Sequence, residues 1–334
     1  MKYLVTGSAG FIGSAVVERL TADGHDVIGI DNINDYYDTD LKDARLRRIA
    51  HGSFTFIRMD IADSLKMSKL FDHEKFDIVI HLAAQAGVRY SIVNPMAYAD
   101  SNLIGYLNVL EGCRHSKVNH LVYASSSSVY GLNNKIPFST GDGVNHPISL
   151  YAATKRSNEL MAHTYSHLYE MPITGLRFFT VYGPWGRPDM ALFKFTKKIL
   201  EGSEIDIYNN GQLSRDFTYI DDIINGIVRI QADIPIFDND WTVELGSPAE
   251  SSAPHRIYNI GNGAPVKLMD FVSSLEAALG IKANKNFMPM QPGDVVATWA
   301  DTDDFTKKID LRPQVSIDEG VQRFVDWYRE FYKI

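Results

Sequence analysis

The chain has 334 residues, 45% hydrophobic and 22% charged, enough to fill the core of one large or two ordinary domains. Its formal net charge is −8 with no basic block, which argues against a whole-surface grip on nucleic acid or anionic membrane. One cysteine, Cys113, excludes an intramolecular disulfide or a cysteine-built zinc cluster, and the ten histidines show no metal-ligand spacing. No apolar run approaches a bilayer span, and the N-terminus reaches Gly7 too soon for a signal peptide, so a cytoplasmic setting without metal is expected.

In chain order, Tyr3–Thr6 and Asp26–Ile30 read as buried strands, and Ser53–Met59, Ile78–Leu82 and Leu121–Ala124 continue the series. Helical periodicity marks Ile12–Ala22, Ala97–Arg114 and Ala152–Tyr169, and Ile173–Phe178 is a further strand. Such β-α-β alternation predicts an α/β fold, a doubly wound parallel (Rossmann) sheet with helices on both faces. A Gly/Pro-rich break at Tyr182–Met190 follows. Beyond it Ala191–Leu200 and Asp221–Ala232 look helical, Glu204–Tyr208 extended, and Asp238–His255 a polar surface loop. Phe271–Leu279 and Val321–Tyr332 are short amphipathic helices. The expected organisation is a cofactor-binding domain over 1–180, with segments near 217–232 and 256–262 returning to it. A smaller mixed α/β substrate domain covers 181–334.

Val5–Gly13, "VTGSAGFIG", places Gly7, Gly10 and Gly13 between the first strand and a helix. Glycine there lets the backbone turn sharply and approach a pyrophosphate, which meets the helix N–H groups and positive dipole end. Asp31 ends the second strand roughly 20 residues after the glycines, where a carboxylate accepts from the adenosine ribose hydroxyls and repels a 2′-phosphate. NAD is therefore expected rather than NADP. Asp60, after the third strand, fits an adenine contact.

Tyr151-Ala-Ala-Thr-Lys155 opens a helix, and residues four apart share one helical face. A lysine and a nicotinamide cation beside a phenol lower its pKa, so that tyrosine can serve as general base on a hydroxyl while hydride leaves the same carbon. With "HLAAQAGVRYS" (His81–Ser91), "SNLIGYLNVLE" (Ser101–Glu111), "YASSSSVYG" (Tyr123–Gly131), "LRFFTVYGPWGRPDM" (Leu176–Met190), "RDFTYIDD" (Arg215–Asp222) and "YNIGN" (Tyr258–Asn262), the chain resembles the extended short-chain dehydrogenase/reductase family. Within it, the sequence is most similar to the nucleotide-sugar 4-epimerases that act on UDP-glucuronate.

The resemblance implies that Gly7, Gly10, Phe11, Ile12, Gly13, Asp31 and Asn32 hold NAD. Asp60 and Ile61 would flank the adenine, while Leu82, Ala83 and Ala84 line the path to the nicotinamide. Tyr151 would be the base, Lys155 would also hold the nicotinamide ribose, and Ser126 would bridge the substrate 4-oxygen and Tyr151. Related dehydratases and decarboxylases carry an acid after the active-site Ser/Thr or just before Val-Tyr-Gly. Ser127 and Ser128 are uncharged, so simple epimerisation is expected. Arg187 is the candidate for a C6 carboxylate, which a guanidinium matches bidentately, with a pyrophosphate contact or a plain loop role as alternatives. Thr180, Ser127 and Ser128 would add neutral hydrogen bonds. Arg89 would face the sugar or order its loop. Arg215 would meet the diphosphate, or pair with Asp216 or Asp221.

The expected activity is C4 epimerisation of UDP-glucuronate to UDP-galacturonate in a homodimer built through Ala97–Arg114 and Ala152–Tyr169. A 4-epimerase of neutral UDP-hexoses or UDP-N-acetylhexosamines is the alternative, and a non-catalytic NAD-binding regulator the reading from another class.

Overall fold

The computed structural model describes residues 1–290 and 296–334. The N-terminal half runs β1 (Lys2–Thr6), α1 (Phe11–Ala22), β2 (Asp26–Asp31), α2 (Thr39–Ile49), β3 (Phe54–Arg58), α3 (Ser64–Glu74) and β4 (Ile78–His81). Two short helices follow, α4 (Tyr90–Val93) and α5 (Pro95–Tyr98), then α6 (Tyr106–Ser116), β5 (His120–Ser126), α7 (Leu150–Tyr169) and β6 (Ile173–Phe178). Strands and helices alternate because runs such as Tyr3–Val5 are apolar on both faces, while α3, α6 and α7 bury one stripe each.

Seven parallel strands lie in the order β10-β6-β5-β4-β1-β2-β3, β10 being His255–Ile260. Successive β1 side chains point to opposite faces. Tyr3 and Val5 pack with Val16, Val17 and Leu20 of α1, whereas Leu4 packs with Met67 and Phe71 of α3 and Val109 and Leu110 of α6. The strand order reverses between β1 and β4, so a crevice opens at their carboxyl ends, where ligands of open α/β sheets bind.

After β6 come β7 (Thr180–Tyr182), α8 (Ala191–Leu200), β8 (Ile205–Ile207), β9 (Ser214–Tyr219) and α9 (Ile220–Ile230). Beyond β10 lie β11 (Pro265–Lys267), α10 (Leu268–Leu279), β12 (Lys285–Phe287), β13 (Ala297–Thr298), α11 (Asp303–Ile309) and α12 (Ile317–Tyr332). Strands β7, β9, β11 and β13 form a second sheet, and β8 pairs with β12. Two segments of the second half go back to the first: β10 completes the large sheet beside β6, and α9 packs on α1.

Three local readings differ from the structure. The helix expected over Ala97–Arg114 is interrupted by a π-helical stretch, Ala99–Gly105, which turns Asn102 inward. Its side chain accepts from the Gln85 backbone N–H at 2.8 Å and donates to Thr154 Oγ1 at 3.1 Å, joining the loop after β4 to α7. A π-bulge re-aims one side chain at the cost of regular bonding, often at a functional site. Strand β9 was hidden because Arg215 and Asp216 break its apolar alternation. The loop over Asp238–His255 is not all surface, since Ala249, Ser251 and Ala253 are buried. The C-terminal aromatics pack on the first half of the substrate-side chain: the Trp327 ring lies 5.2 Å from that of Trp185 in the Gly/Pro-rich break.

Candidate active site

The turn after β1 is shaped by close backbone approach. Gly7 has φ +74, and a Cβ on it would lie 2.8 Å from the Ala83 nitrogen. A Cβ on Gly13 would lie 2.0 Å from the Gly7 carbonyl oxygen, so the helix can start against the loop only without a side chain there. No side chain caps the α1 N-terminus at Gly10, and its first N–H groups face the crevice mouth. Thr6 Oγ1 accepts from the backbone N–H of Leu82 and Ala83 at 3.1 and 3.0 Å, which fixes the loop after β4 against that turn.

Asp31 ends β2 and lines the cleft. Its carboxylate accepts from Ile33 N–H at 2.9 Å and Ala9 N–H at 3.2 Å. Burial pushes this carboxyl above its ordinary value, opposed by those bonds and by the charges of Lys42 and Arg45. Asn32 donates to Asp60 at 2.8 Å, and Asp60 also accepts from Ala62 N–H, so the two acids stand side by side along the rim.

One open cleft of about 1420 Å³ is lined by Gly7, Gly10, Phe11, Ile12, Gly13, Asp31, Asn32, Asp60, Ile61, Leu82, Ala83 and Ala84. At its far end it is lined by Ser126, Tyr151, Lys155 and Arg187. A second lobe of about 920 Å³ is lined by Ser126, Ser127, Ser128, Thr180 and Arg215. Ser126, Phe178, Phe179 and Met190 border both lobes, so Ser126 stands at their junction. The glycine cradle, the uncapped helix start and the rim acids fit a dinucleotide such as NAD. Arg89 is outside both linings; its guanidinium lies 5.5 Å from the Tyr208 ring centre. Arg215 donates to the Ser214 and Val296 carbonyls, while Asp216 accepts from the N–H groups of Asn262, Gly263 and Ala300 and Asp221 pairs with Arg323.

Ser149 caps α7 by accepting from Ala152 N–H, so the helix starts at Leu150, one residue before Tyr151, and Lys155 follows Tyr151 by one turn. Lys155 Nζ donates to the Ala124 carbonyl at 3.0 Å, and burial pulls its pKa down to about 8. Burial also pushes the Tyr151 phenol above its ordinary value, against a hydrogen bond with Ser126 and the charge of Arg187. Ser126 ends β5 and caps the short 3₁₀ turn Ser127–Tyr130, accepting from Ser128 N–H at 3.2 Å. The neighbouring Ser125 points the other way, into a buried bond with Glu159 at 2.6 Å.

His81 is a satisfied core residue: Nδ1 shares a 2.8 Å hydrogen bond with Thr6 Oγ1, and burial lowers its pKa to about 3. Cys113 is fully buried on α6. Among the described residues no cluster of His, Cys, Asp or Glu could hold a metal ion, and no helix is long and apolar enough to cross a membrane.

Two features were missed from sequence. Arg187 is engaged by Asp189, its Nε and Nη2 donating at 3.0 and 2.6 Å, and Tyr36 donates to the same carboxylate at 3.2 Å. The signal available was the i, i+2 spacing of opposite charges in "GRPDM". Lys42 also lines the cleft and donates to Asn34.

The parallel sheet, the glycine turn at its switch point and the Tyr151/Lys155 pair define a Rossmann-type, dinucleotide-dependent protein. The chain belongs to the NAD dependent epimerase/dehydratase family, whose model matches residues 3–239. It is 48% identical over 335 residues to a probable UDP-glucuronate 4-epimerase of Rhizobium meliloti, covering 100% of this chain and 98% of that one. A UDP-glucuronic acid 4-epimerase of Bacillus cereus, solved with UDP-glucuronic acid and NAD, superposes with TM-score 0.86 at 34% identity, covering 99% of this chain and 100% of that one. A UDP-glucose 4-epimerase of Thermotoga maritima, solved with UDP-glucose, gives TM-score 0.85 at 30% identity over 99% and 100% of the two chains.

Proposed function

We propose that this chain is an NAD-dependent UDP-glucuronate 4-epimerase, interconverting UDP-glucuronate and UDP-galacturonate through a 4-keto sugar. The observation that carries the reading is the junction of the two lobes. There Ser126 and Tyr151 line one cleft together with Arg187, and the neighbouring Ser127 and Ser128 supply no carboxylate. NAD, when bound, accepts hydrogen with its electron pair from C4 and returns it. Tyr151 takes the 4-hydroxyl proton as general base, and Ser126 donates to the oxygen as negative charge develops there. Lys155, held by the Ala124 carbonyl, orients the nicotinamide ribose and favours the phenolate once protonated. With no second acid beside Ser126 to eliminate water, and with its carboxylate restrained against loss of carbon dioxide, the ketosugar is left to turn its other face to the cofactor.

Arg187, Thr180, Ser127 and Ser128 take the sugar and its C6 group, and Arg215 takes the diphosphate. Arg89, outside both linings, orders its loop. Residues 1–180 with α9 and β10 hold the cofactor, and the rest of 181–334 holds the nucleotide sugar. We assign a cytoplasmic homodimer joined through the helices that carry the exposed apolar residues Met96, Ile104, Leu107, Leu160 and Leu168. Light scattering of Leu160→Glu should report a monomer.

The direct test gives the protein UDP-glucuronate and UDP-glucose in parallel and follows the sugar protons by NMR. Conversion of UDP-glucuronate alone, or far faster, supports the reading. Conversion of the neutral sugar alone shifts the assignment to a neutral-hexose epimerase, with Arg187 on phosphate.

A further inference from the structure

A guanidinium and a carboxylate bind most strongly fork to fork, with two parallel N–H···O bonds. In this cleft that geometry is already in use. Arg187 gives Nε and Nη2 to the two oxygens of Asp189. Tyr36, on the segment after β2, donates its hydroxyl to Asp189 Oδ2, and its ring packs 4.8 Å from that of Tyr90. Two distant parts of the chain thus hold one carboxylate in place. Burial disfavours charge on Asp189, yet Arg187 and Tyr36 keep its carboxyl below the usual range; burial likewise opposes charge on Arg187, and Asp189 more than compensates.

Epimerisation makes a demand that simple oxidation does not. Between the two half-reactions the ketosugar must turn over, so its C6 carboxylate has to leave one set of contacts and find another. A bare, buried guanidinium would clamp that carboxylate through its fork. A guanidinium whose charge is already balanced, and whose Nε/Nη2 edge is filled, offers only its Nη1/Nη2 edge and no uncompensated charge behind it.

We propose that Asp189 is a positioning residue that occupies the Arg187 fork, so that a uronate carboxylate is selected through the remaining edge yet released while the ketosugar turns. The proposal rests on the uronate reading above. It deepens that reading by naming what keeps the carboxylate site weak. Binding that is stronger in the ground state than in the turning intermediate lowers KM and kcat together, which is the signature to look for.

The test is steady-state kinetics of the holoenzyme with UDP-glucuronate, comparing wild type, Asp189→Asn and Tyr36→Phe. Asp189→Asn removes the balancing charge but keeps an oxygen for Arg187. It should lower KM and kcat each by about threefold or more, and Tyr36→Phe should move both in the same direction by less. A raised KM with kcat unchanged would mean that Asp189 only aims Arg187, and the proposal fails. Unchanged constants in both variants overturn it as well. If Asp189→Asn does not fold, Tyr36→Phe decides by the same split. A wild-type protein inert towards UDP-glucuronate contradicts the uronate reading itself. An active wild type with no split in the variants contradicts this proposal alone.

Discussion

Glu159 and Arg177 form a two-point ion pair sealed from solvent behind the serine run, with Nε and Nη2 of Arg177 at 2.8 and 3.0 Å from the two carboxylate oxygens. Ser125 donates to the same carboxylate, and Arg177 also donates to the Tyr130 hydroxyl, which donates in turn to Asn259 at 2.6 Å. The chain of bonds ties α7, β6, the turn after β5 and β10 into one frame around Ser126. Removing one partner strands a buried charge, so Arg177→Met should cost about 3–5 kcal/mol in urea unfolding. Glu159→Leu combined with Arg177→Met should recover much of that loss, because the one charge then left without its partner is Arg156, whose side chain reaches solvent.

Tyr151 and Ser126 should separate in turnover. Tyr151→Phe removes the proton acceptor and should lower kcat by roughly 10²–10⁴ while NAD stays bound. Ser126→Ala removes one donor to the developing oxyanion and should cost roughly 10²–10³. Single-turnover assays on the NAD-loaded variants measure both. Full activity in Tyr151→Phe would remove Tyr151 from the role of base, and no turnover in wild type would point to a non-catalytic binding protein.

Lys155 makes a prediction about stability and pH. Its pKa falls from 10.5 in the unfolded chain to about 8 in the fold, because burial disfavours the ammonium. Below about 8 both states are protonated and the fold bears the full cost. Between 8 and 10.5 the unfolded chain binds the extra proton, so this cost is relieved as pH rises through that window. The relief is on the order of 3 kcal/mol. Unfolding of the cofactor-free protein from pH 7.5 to 10.5 should show wild type gaining on Lys155→Met. A difference that does not change with pH would place the lysine at its ordinary value.

Arg187 bears on the fate of the ketosugar. A 4-keto uronate is a β-keto acid and loses carbon dioxide when its C5–C6 bond aligns with the carbonyl π system. In the proposed complex Arg187 would hold that bond near the ketosugar plane. Arg187→Ala should lower activity on UDP-glucuronate and release UDP-4-keto-pentose, seen by mass spectrometry. Unimpaired uronate turnover without that product would remove Arg187 from the role.

Most of the large sheet could be read from sequence because its signals are local. Apolar runs bounded by Gly7 and Asp31, and the helix opened by Ser149, announce themselves within a few residues. The frame behind the serines was not legible, since Glu159 on a helix looks like an ordinary surface charge. Arg177 did carry a signal, a cation in the otherwise apolar strand Ile173–Phe178 that burial would oblige to find an acid. Its partner lies four residues after Lys155, on the same face of α7. The Tyr36–Asp189–Arg187 set joins residues 153 positions apart and had no local trace beyond the Arg/Asp spacing. Arg89 had no local signal to choose between facing the sugar and ordering its loop, and its guanidinium lies 5.5 Å from the Tyr208 ring centre.

The central claim is that this site inverts C4 of UDP-glucuronate by removing and returning the same hydrogen. UDP-glucuronate in deuterated water, followed by proton NMR, tests it most directly. The account predicts UDP-galacturonate that keeps its C4 proton and mixes with substrate to a stable ratio. Deuterium at C4, a pentose product, or no conversion of the uronate while UDP-glucose is epimerised would contradict it.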